Sequence, residues 1–343
     1  MSAMPVVILK TGLVTSVGLS APATCAALRA KLSNPTETHF LDSSGDLIMA
    51  HQVVLDKSWT GLTKLVKMAT MAIEEALQQI PKSEWSQIPL ILCVAEADRP
   101  GRLHGLDDAI FQSIEIELGG SFSPQSMIVA HGRVSVAVAL THAKSLVSQS
   151  NINHVLIAAT DSLITWPALC YYEREERLLS ANNSNGFMPG EAAGAMLVGL
   201  AEELSNGLLC CGIGYGRELA HLDSGEPLRA DGLTQAIKAA LADVGYQMHE
   251  MNFRITDISG EQYYFKEATL ALSRTLRARK EEFDIWHPAE CIGETGATVG
   301  IAIISLAQAA CLKGYAKGQN VLVHMSNDGG QRAAITLQHR TAP

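Results

Sequence analysis

Residues 185–194 read Asn-Gly-Phe-Met-Pro-Gly-Glu-Ala-Ala-Gly, and an uninterrupted apolar run follows them as far as Leu200. A short apolar run after turn-forming residues is typical of a buried β-strand, so the sequence predicts a strand over Gly194–Leu200. Earlier runs of the same kind predict strands at Val6–Leu9, Pro89–Val94, Ile128–Ala130 and Val155–Ala159, and helical spacing predicts helices at Ala21–Leu32 and Thr63–Ile80. This alternation of strands and helices is typical of α/β proteins.

The second half of the chain repeats this order. Strands are predicted at Leu208–Gly212, Ile255–Ser259 and Val321–Met325, with helices at Gly232–Val244 and Lys266–Arg277. Each half also contains one strongly apolar helix, Arg133–Val147 in the first and Thr298–Leu312 in the second. The repeat indicates an internal duplication of an α/β unit, with the halves at 1–203 and 204–343. We expect the two apolar helices to form a layer buried between two sheets.

Composition excludes several classes of function. The 343 residues include 26 Lys+Arg and 35 Asp+Glu, for a net charge of −9, and 47% are apolar, as in a packed globular protein. An acidic chain without a basic stripe is a poor binder of nucleic acid, so no nucleic-acid partner is expected. The seven cysteines show no metal-ligand spacing and no disulfide framework. They are predicted to be reduced thiols, and no metal or cofactor is expected.

Two segments could be mistaken for membrane or targeting signals. Thr295–Leu312 carries no charge over about the length of a membrane-spanning helix, but it contains Gly296, Gly300, Ser305 and Gln308. With no second such segment nearby, we interpret it as a buried core helix rather than a membrane insertion. Pro5–Leu9 is too short for the core of a signal peptide and ends at Lys10. The sequence therefore predicts a cytoplasmic protein.

Four stretches along the chain carry a family resemblance: Thr11–Gly18, Asn185–Gly194, Gly293–Gly300 and Ser326–Ala333. The first resembles the opening strand and loop of the β-ketoacyl-acyl-carrier-protein synthases, which belong to the thiolase superfamily. The others are similar to the Gly-Phe-x-x-Gly-Glu-Gly-Ala-Gly segment of that family, with Ala192 replacing one glycine, its Gly-His-x-x-Gly-Ala-x-Gly motif and its Gly-Phe-Gly-Gly-Thr-Asn-Ala turn. The positions that carry the motifs are interpreted as structural: Gly186, Gly190, Glu191, Gly194, Gly293, Gly296, Gly300, Gly329 and Gly330.

This resemblance implies an α/β protein with the thiolase-type five-layer αβαβα fold made of two duplicated halves, usually a homodimer. It also implies a catalytic cysteine at the start of the first buried helix, activated by the helix dipole, and two histidines that stabilise the enolate formed on decarboxylation. The window Ala130–Ser135 offers no cysteine, and the stretch Asp257–Tyr264 offers no histidine. Glu294 occupies the position of the second histidine. All the catalytic positions are lost together, which indicates a pseudoenzyme.

The degenerate positions His131, Arg133, Ser135 and Glu294 leave two chemical interpretations open. Glu294 could form a structural salt bridge with His131 or Arg133, or it could act as a general base with a raised pKa. Ser135 or His131 could in turn serve as a nucleophile if a base stood beside it. We favour the salt bridge, because it requires only suitable geometry, whereas a general base requires a raised pKa. A guanidinium at Arg133 is also a poor fit to an apolar acyl tunnel. The sequence therefore predicts that Arg133 and Glu294 plug the former tunnel.

Three other patterns receive structural interpretations. Gly212–Gly216 resembles a dinucleotide-binding loop, but Arg217 stands where the third glycine should be. Cys210 and Cys211 are adjacent in a predicted strand, and such neighbours close a disulfide only with strain, so they are interpreted as buried thiols. The charged run Glu173–Arg177 is interpreted as a solvated helix face or loop.

The leading functional hypothesis is a β-ketoacyl-synthase-like protein that has lost the Cys-His-His set and acts by binding. It could be the non-catalytic partner of a ketosynthase, or an accessory or adaptor protein, a use that thiolase-like proteins resemble in bacterial secretion gene clusters. Its partner would be a second copy, a related thiolase-fold protein, an acyl carrier protein, a ketosynthase or a secreted effector. The alternative is a divergent acyltransferase of the 3-oxoacyl-ACP synthase type, acting on acyl thioesters through Ser135 or His131 with Glu294.

Overall fold

The computed structural model describes residues 5–149, 152–201 and 206–341. Its strands are β1 Val6–Val14, β2 Thr36–Leu41, β3 Leu47–Ala50, β4 Leu90–Cys93, β5 Met127–Val129, β6 His154–Ser162, β7 Glu191–Leu200, β8 Gly207–Arg217, β9 Phe253–Thr256, β10 Ile285–Trp286, β11 Asn320–Ser326 and β12 Gln331–Arg340. Its α-helices are α1 Ala21–Arg29, α2 Gly61–Ala76, α3 Asp108–Leu118, α4 Ser135–Gln149, α5 Trp166–Arg174, α6 Asp231–Val244, α7 Gln262–Thr275, α8 Ala289–Ile292 and α9 Val299–Leu312.

The sheet topology demonstrates the duplication directly. In the first half the strands are ordered β5-β4-β6-β7-β1, and in the second half the equivalent strands are ordered β10-β9-β11-β12-β8. The strand directions also repeat, because β4 is parallel to β5 and β6 as β9 is to β10 and β11. The halves join where Val6–Ile8 of β1 pairs antiparallel with Leu208–Cys210 of β8. The boundary predicted between residues 203 and 204 falls outside the described residues.

Helices cover both faces of each half-sheet and complete the five layers. The helices α2 and α6 pack on the outer faces of the first and second half-sheets, together with α3 and α7. The apolar helices α4 and α9 lie between the halves, and each contacts strands of both. Residues Val136, Leu140, Ile301 and Ile304 of these helices are completely buried in one continuous core. The predicted layer of buried helices between the two half-sheets is confirmed.

Several elements differ from the sequence-based predictions. The first strand continues past Leu9 to Val14, because β7 pairs with it along its whole length. The helices α3 and α5 and the strand β12 are not predicted, since polar residues interrupt their apolar patterns. The segment Gly212–Gly216 is an internal part of β8 rather than a phosphate-binding loop. A Cβ at Gly214 would clash with the backbone of α6, so this glycine allows a helix to approach the strand closely.

None of the helices within the described residues is long and apolar enough to cross a membrane. The charge-free segment that ends at Leu312 corresponds to α9, which has 14 residues. Its Gln308 donates a hydrogen bond to the carbonyl of Ile8 (2.8 Å) and so satisfies a polar group inside the core. The interpretation of this segment as a core helix is confirmed.

Candidate functional site: a charged cluster at the starts of the buried helices

The two buried helices begin with the same backbone device. A 3₁₀ turn over Gly132–Val134 leads into α4, and a 3₁₀ turn over Gly296–Thr298 leads into α9. Gly132 has φ +51° and Gly296 has φ +54°, a left-handed conformation that favours glycine. A Cβ at either position would also clash with a carboxylate, that of Glu96 at Gly132 and that of Asp161 at Gly296. The glycines are therefore required by local geometry, whatever chemistry their neighbours perform.

Side chains from several loops meet beside these helix starts. Arg133 and Glu294 come from the turn before α4 and the loop before α9, and Asp257 follows β9. Asp328 lies in the turn between β11 and β12, Glu261 and Tyr264 come from the start of α7, and Arg177 follows α5. The carboxyl ends of parallel strands lie at one edge of a sheet, so the loops after β9 and β11 converge here. We call Arg133, Arg177, Asp257, Glu261, Tyr264, Glu294 and Asp328 the Arg133 cluster.

Arg133 is the centre of the cluster. Only 7% of the residue is exposed, and its guanidinium lies 3.3 Å from the Glu294 carboxylate and 3.9 Å from that of Asp257. It also donates to the carboxylate of Asp328 and to the Tyr264 hydroxyl (2.7 Å), and it stacks over the Tyr264 ring. The predicted ion pair between Arg133 and Glu294 is therefore present. The imidazole of His131, the other predicted partner, belongs to an exposed residue.

Arg177 forms the second half of the cluster and corrects the sequence-based interpretation of Glu173–Arg177. The residue is buried rather than solvated, and it makes a bidentate pair with Glu261 at 2.7 and 2.9 Å. It also donates to Asp328 at 2.7 Å, so Asp328 joins the two arginines. Its burial follows from contacts made across 84 and 151 residues of sequence, which no local charge pattern can report.

One signal for these partners did exist in the sequence. Asp328 precedes Gly329 and Gly330, where the Gly-Phe-Gly-Gly-Thr-Asn-Ala pattern of the resembling family has phenylalanine. A carboxylate at an otherwise aromatic position requires a cation when it folds inward. Arg133, already conspicuous at the start of α4, is one of its two guanidinium partners.

A neighbouring ion pair supports the start of α9. Arg99 holds Asp161 through two hydrogen bonds of 2.5 and 2.6 Å, and Asp161 also accepts the backbone N–H of Ala297 (2.8 Å). Glu294 accepts the backbone N–H of Gly296 at 2.9 Å. Carboxylates at a helix N-terminus accept its free N–H groups and interact favourably with its dipole. Both side chains therefore have structural contacts that account for their positions.

Carboxyl groups outnumber guanidinium groups in the cluster, and their pKa values diverge. Burial raises the pKa of Glu294 to about 7 and that of Asp257 to about 6, although Arg133 opposes both shifts. Burial would also raise the pKa of Asp328, but Arg133 and Arg177 outweigh it and hold that pKa well below its usual range. Burial likewise raises the pKa of the nearby Glu96. Asp328 therefore stays ionised, while the pKa of Glu294 lies near neutral pH.

The cluster leaves almost no free space. A cavity of about 20 Å³ remains between side chains of the cluster and five neighbouring residues, which are Glu96, Arg99, Leu163, Tyr172 and Phe187. That volume accommodates about one water molecule and no acyl chain. None of the seven cysteines lines this cavity. The plug predicted from Arg133 and Glu294 is therefore present, and Arg177, Glu261 and Asp328 enlarge it.

Ser135 is not arranged as a nucleophile. The residue is completely buried, and its hydroxyl accepts the backbone N–H of His131 at 3.0 Å. The hydroxyl proton is directed to backbone carbonyls, that of Val129 at 3.2 Å and that of Val94 at 3.4 Å. Within the described ranges no acidic or imidazole side chain is hydrogen-bonded to it. The serine thus stabilises the turn before α4 and lacks the adjacent base that activation requires.

The motif residues predicted to be structural pack the two halves together. The backbone N–H of Gly190 donates to the carbonyl of Glu294 (2.9 Å), so two of the recognised stretches pair directly. A Cβ at Gly194 would clash with Ile301 of α9, and one at Gly300 would clash with Val136 of α4. The remaining motif positions also lie at turns or close packing contacts, and at Gly329 the nearest atom to an added Cβ is the end of the flexible Gln331 side chain. These positions are Gly186, Glu191, Gly293, Gly296, Gly329 and Gly330. The part of the chain that the structure describes holds no group of His, Cys, Asp and Glu side chains suited to a metal ion.

Comparisons with solved structures agree with this architecture. The chain is similar to a type II PKS acyl-carrier protein–ketosynthase complex bound to the hexaketide, with a TM-score of 0.82 at 14% identity over 98% of this chain and 100% of that chain. It is similar to the ishigamide ketosynthase/chain length factor, with a TM-score of 0.78 at 16% identity over 99% and 100% of the two chains. It is also similar to a ketosynthase in complex with its chain length factor from Xenorhabdus doucetiae, with a TM-score of 0.76 at 11% identity over 98% of each chain.

No family model matches the sequence, and no curated protein does. The fold is the thiolase-like fold of the ketosynthases and spans nearly the whole chain. At these identities the likeness establishes the fold alone, so the function has to be argued from the Arg133 cluster.

Proposed function

We propose that this chain is a non-catalytic ketosynthase-like protein that acts by binding a related thiolase-fold partner. The observation that carries the proposal is the Arg133 cluster, which fills the space between the starts of α4 and α9. A ketosynthase-type reaction needs an apolar channel to a thiolate at this place. Here the place holds a guanidinium paired with several carboxylates, and little more than one water molecule fits among them.

The chemistry of Glu294 supports the same proposal. An enolate or a malonyl carboxylate would be stabilised by a hydrogen-bond donor, whereas an ionised Glu294 would repel it. Glu294 is in addition held by Arg133 and by the backbone N–H of Gly296. A general base must reach the substrate proton, and Glu294 is a residue 95% buried among the charged side chains of the cluster. A structural role therefore accounts for it better than the acyltransferase alternative does.

The open edge of β5 is the surface that we propose for the partner. This strand ends the sheet of the first half and pairs only with β4 among the described residues. Met127 and Ile128 are half-buried there, and an uncovered strand edge is a ready template for pairing with another chain. Two of the similar solved structures are described as a ketosynthase together with a chain length factor. We therefore favour a heterodimer of two thiolase-fold chains over a homodimer or an unrelated effector.

The first experiment tests the absence of acyl transfer. The purified chain is incubated with acyl-CoA and with acyl carrier protein loaded with an acyl group, and its intact mass is measured beside that of an active ketosynthase. We expect no covalent adduct. An adduct that disappears in Ser135→Ala but persists in Ser305→Ala would refute the proposal, because Ser305 is an equally buried serine on the other apolar helix.

The second experiment tests the partner and its surface. The chain is mixed with the catalytically complete ketosynthases of its own organism, and complexes are measured by sedimentation velocity. We expect a heterodimer that Met127→Lys weakens. Ile285→Lys is the control, because Ile285 is a half-buried apolar residue on β10, the edge strand that corresponds to β5 in the duplicated half. A complex that both variants weaken equally would refute β5 as the interface, and binding of none of the ketosynthases would favour an adaptor role.

A further inference from the structure

A separate cavity lies on another side of the protein, between the end of α1, the strand β10 and the helices α8 and α9. Its volume is about 230 Å³, and it shares no lining residue with the cavity of the Arg133 cluster. Leu28, Leu306, Trp286 and Cys291 contribute apolar surface. Because α1 comes from the first half and the other elements from the second, the cavity lies where the two halves meet, a common position for a ligand site.

One polar group in the wall of this cavity lacks a partner. The hydroxyl of Tyr315 is buried, and no hydrogen-bonding atom of the described residues satisfies it. The ring of Tyr315 contacts two other side chains, because Trp286 stacks on it at 6.3 Å between ring centroids and the guanidinium of Arg29 lies 4.5 Å from its centroid. A buried hydroxyl without a partner carries a desolvation penalty, which a bound polar atom would remove.

The charge at the rim is positive. Arg29 makes its contact with the Tyr315 ring and forms no ion pair with any carboxylate in the described ranges. The acidic residue of the lining, Glu290, is already bound by His287 at 2.9 Å and lies 3.8 Å from Lys31. A guanidinium without a carboxylate partner can bind an incoming acid through two parallel hydrogen bonds.

We propose that this cavity binds a small organic acid whose apolar body is about the size of one aromatic ring. Its carboxylate would bind Arg29, and the Tyr315 hydroxyl would complete the polar contacts. The ring would lie against Trp286 and Leu306, where aromatic contact adds to apolar burial. The volume is below the roughly 300–1,000 Å³ of pockets for larger ligands, so a free small acid fits better than a peptide or a long acyl chain.

The test uses phenylacetate as the probe and phenylacetamide as its uncharged isostere, each titrated calorimetrically into the full chain. We expect saturable one-to-one binding of phenylacetate and roughly tenfold weaker binding of phenylacetamide. Arg29→Gln should weaken phenylacetate binding about tenfold and leave phenylacetamide binding unchanged. Tyr315→Phe should weaken phenylacetate binding while the melting temperature of the free protein stays at or above the wild-type value, since the hydroxyl has no partner to lose and its removal relieves a desolvation penalty.

Arg174→Gln is the matched control. Like Arg29, Arg174 lies in the last turn of a helix and is close to a tyrosine ring, that of Tyr171 at 5.6 Å, but it does not line the cavity. Its substitution should leave phenylacetate binding unchanged. Three results would overturn the proposal: no saturable binding of the acid, equal affinity for acid and amide, or equal loss of binding in Arg29→Gln and Arg174→Gln.

Discussion

Replacing Glu294 by glutamine should make the thermal stability of this protein less dependent on pH. Burial raises the pKa of Glu294 from 4.5 to about 7, against the opposing effect of Arg133. In the window between these values the folded state binds more protons than the unfolded chain does. The contribution of Glu294 is therefore most favourable at low pH, and the free energy of unfolding falls as the pH rises through 7. Asp257, which faces Glu294 and also has a raised pKa, acts in the same direction.

The magnitude follows from the two pKa values of Glu294. At 1.36 kcal/mol per pH unit, their difference corresponds to about 3 kcal/mol, of which about 2.5 kcal/mol falls between pH 5 and pH 8. An unfolding entropy of about 2.1 cal/mol/K per residue gives roughly 0.7 kcal/mol/K for 343 residues. The contribution of Glu294 therefore corresponds to about 3–4 °C in melting temperature. Glutamine keeps the acceptor for the N–H of Gly296 and removes the titration, together with the negative charge that the ionised Glu294 presents to Arg133.

The assay is calorimetric melting of the wild type and Glu294→Gln at pH 5, 6, 7 and 8 and constant ionic strength. We expect the variant to gain about 3–4 °C relative to the wild type between pH 5 and pH 8. Glu74→Gln, a change at an exposed carboxyl on α2, should show the wild-type dependence. A constant difference between wild type and Glu294→Gln over this range would refute the reasoning, because Glu294 would then not titrate within the window.

Two further pairs of variants test a glycine at a helix start and the buried arginines. The free energy of unfolding of each variant is measured by chemical denaturation. Gly296→Ala should cost about 2 kcal/mol more than Gly314→Ala, because both glycines have positive φ but only a Cβ at Gly296 meets a buried carboxylate; equal losses would contradict this. Arg332→Met should lower the free energy of unfolding by about 3–5 kcal/mol, because it leaves the buried carboxylate of Glu267 without its guanidinium partner. Arg254→Met should be neutral or stabilising, because burial lowers the pKa of this arginine and its Nε has no hydrogen-bond partner; a loss as large as that of Arg332→Met would contradict this.

Much of the fold was predictable because its determinants are local. The stretch Asn185–Gly194, the glycines around Gly296 and the two apolar helices are short patterns that the backbone itself requires. The repeat then placed these patterns in two equivalent halves. The outer helices α3 and α5 and the strand β12 were missed, because each combines apolar and charged residues and depends on packing against an already formed sheet.

Only part of the Arg133 cluster could be predicted, because some of its contacts join residues far apart in the sequence. The pairing of Arg133 with Glu294 could be inferred, because the family resemblance brings the two helix starts together. The roles of Arg177 and Glu261 could not, since their bidentate contact joins loops 84 residues apart. A charge run in sequence is usually solvated, and only the folded arrangement shows that one member of the run turns inward.

The positions that set the backbone are separate from those that set the charge at the helix starts, which explains how such a fold can keep its shape while the charged side chains differ. Gly132 and Gly296 are required by their positive φ and by the carboxylates that a Cβ would meet. The backbone at both helix starts therefore does not depend on which reactive side chains stand beside these glycines. Arg133 and Glu294 stand one and two residues away and are free of that constraint. A buried guanidinium requires carboxylate partners, and Glu294 and Asp328 supply them to Arg133. The presence of Gly132 and Gly296 therefore does not indicate catalysis. The charges of Arg133 and Glu294 beside them are more informative about what the site can do.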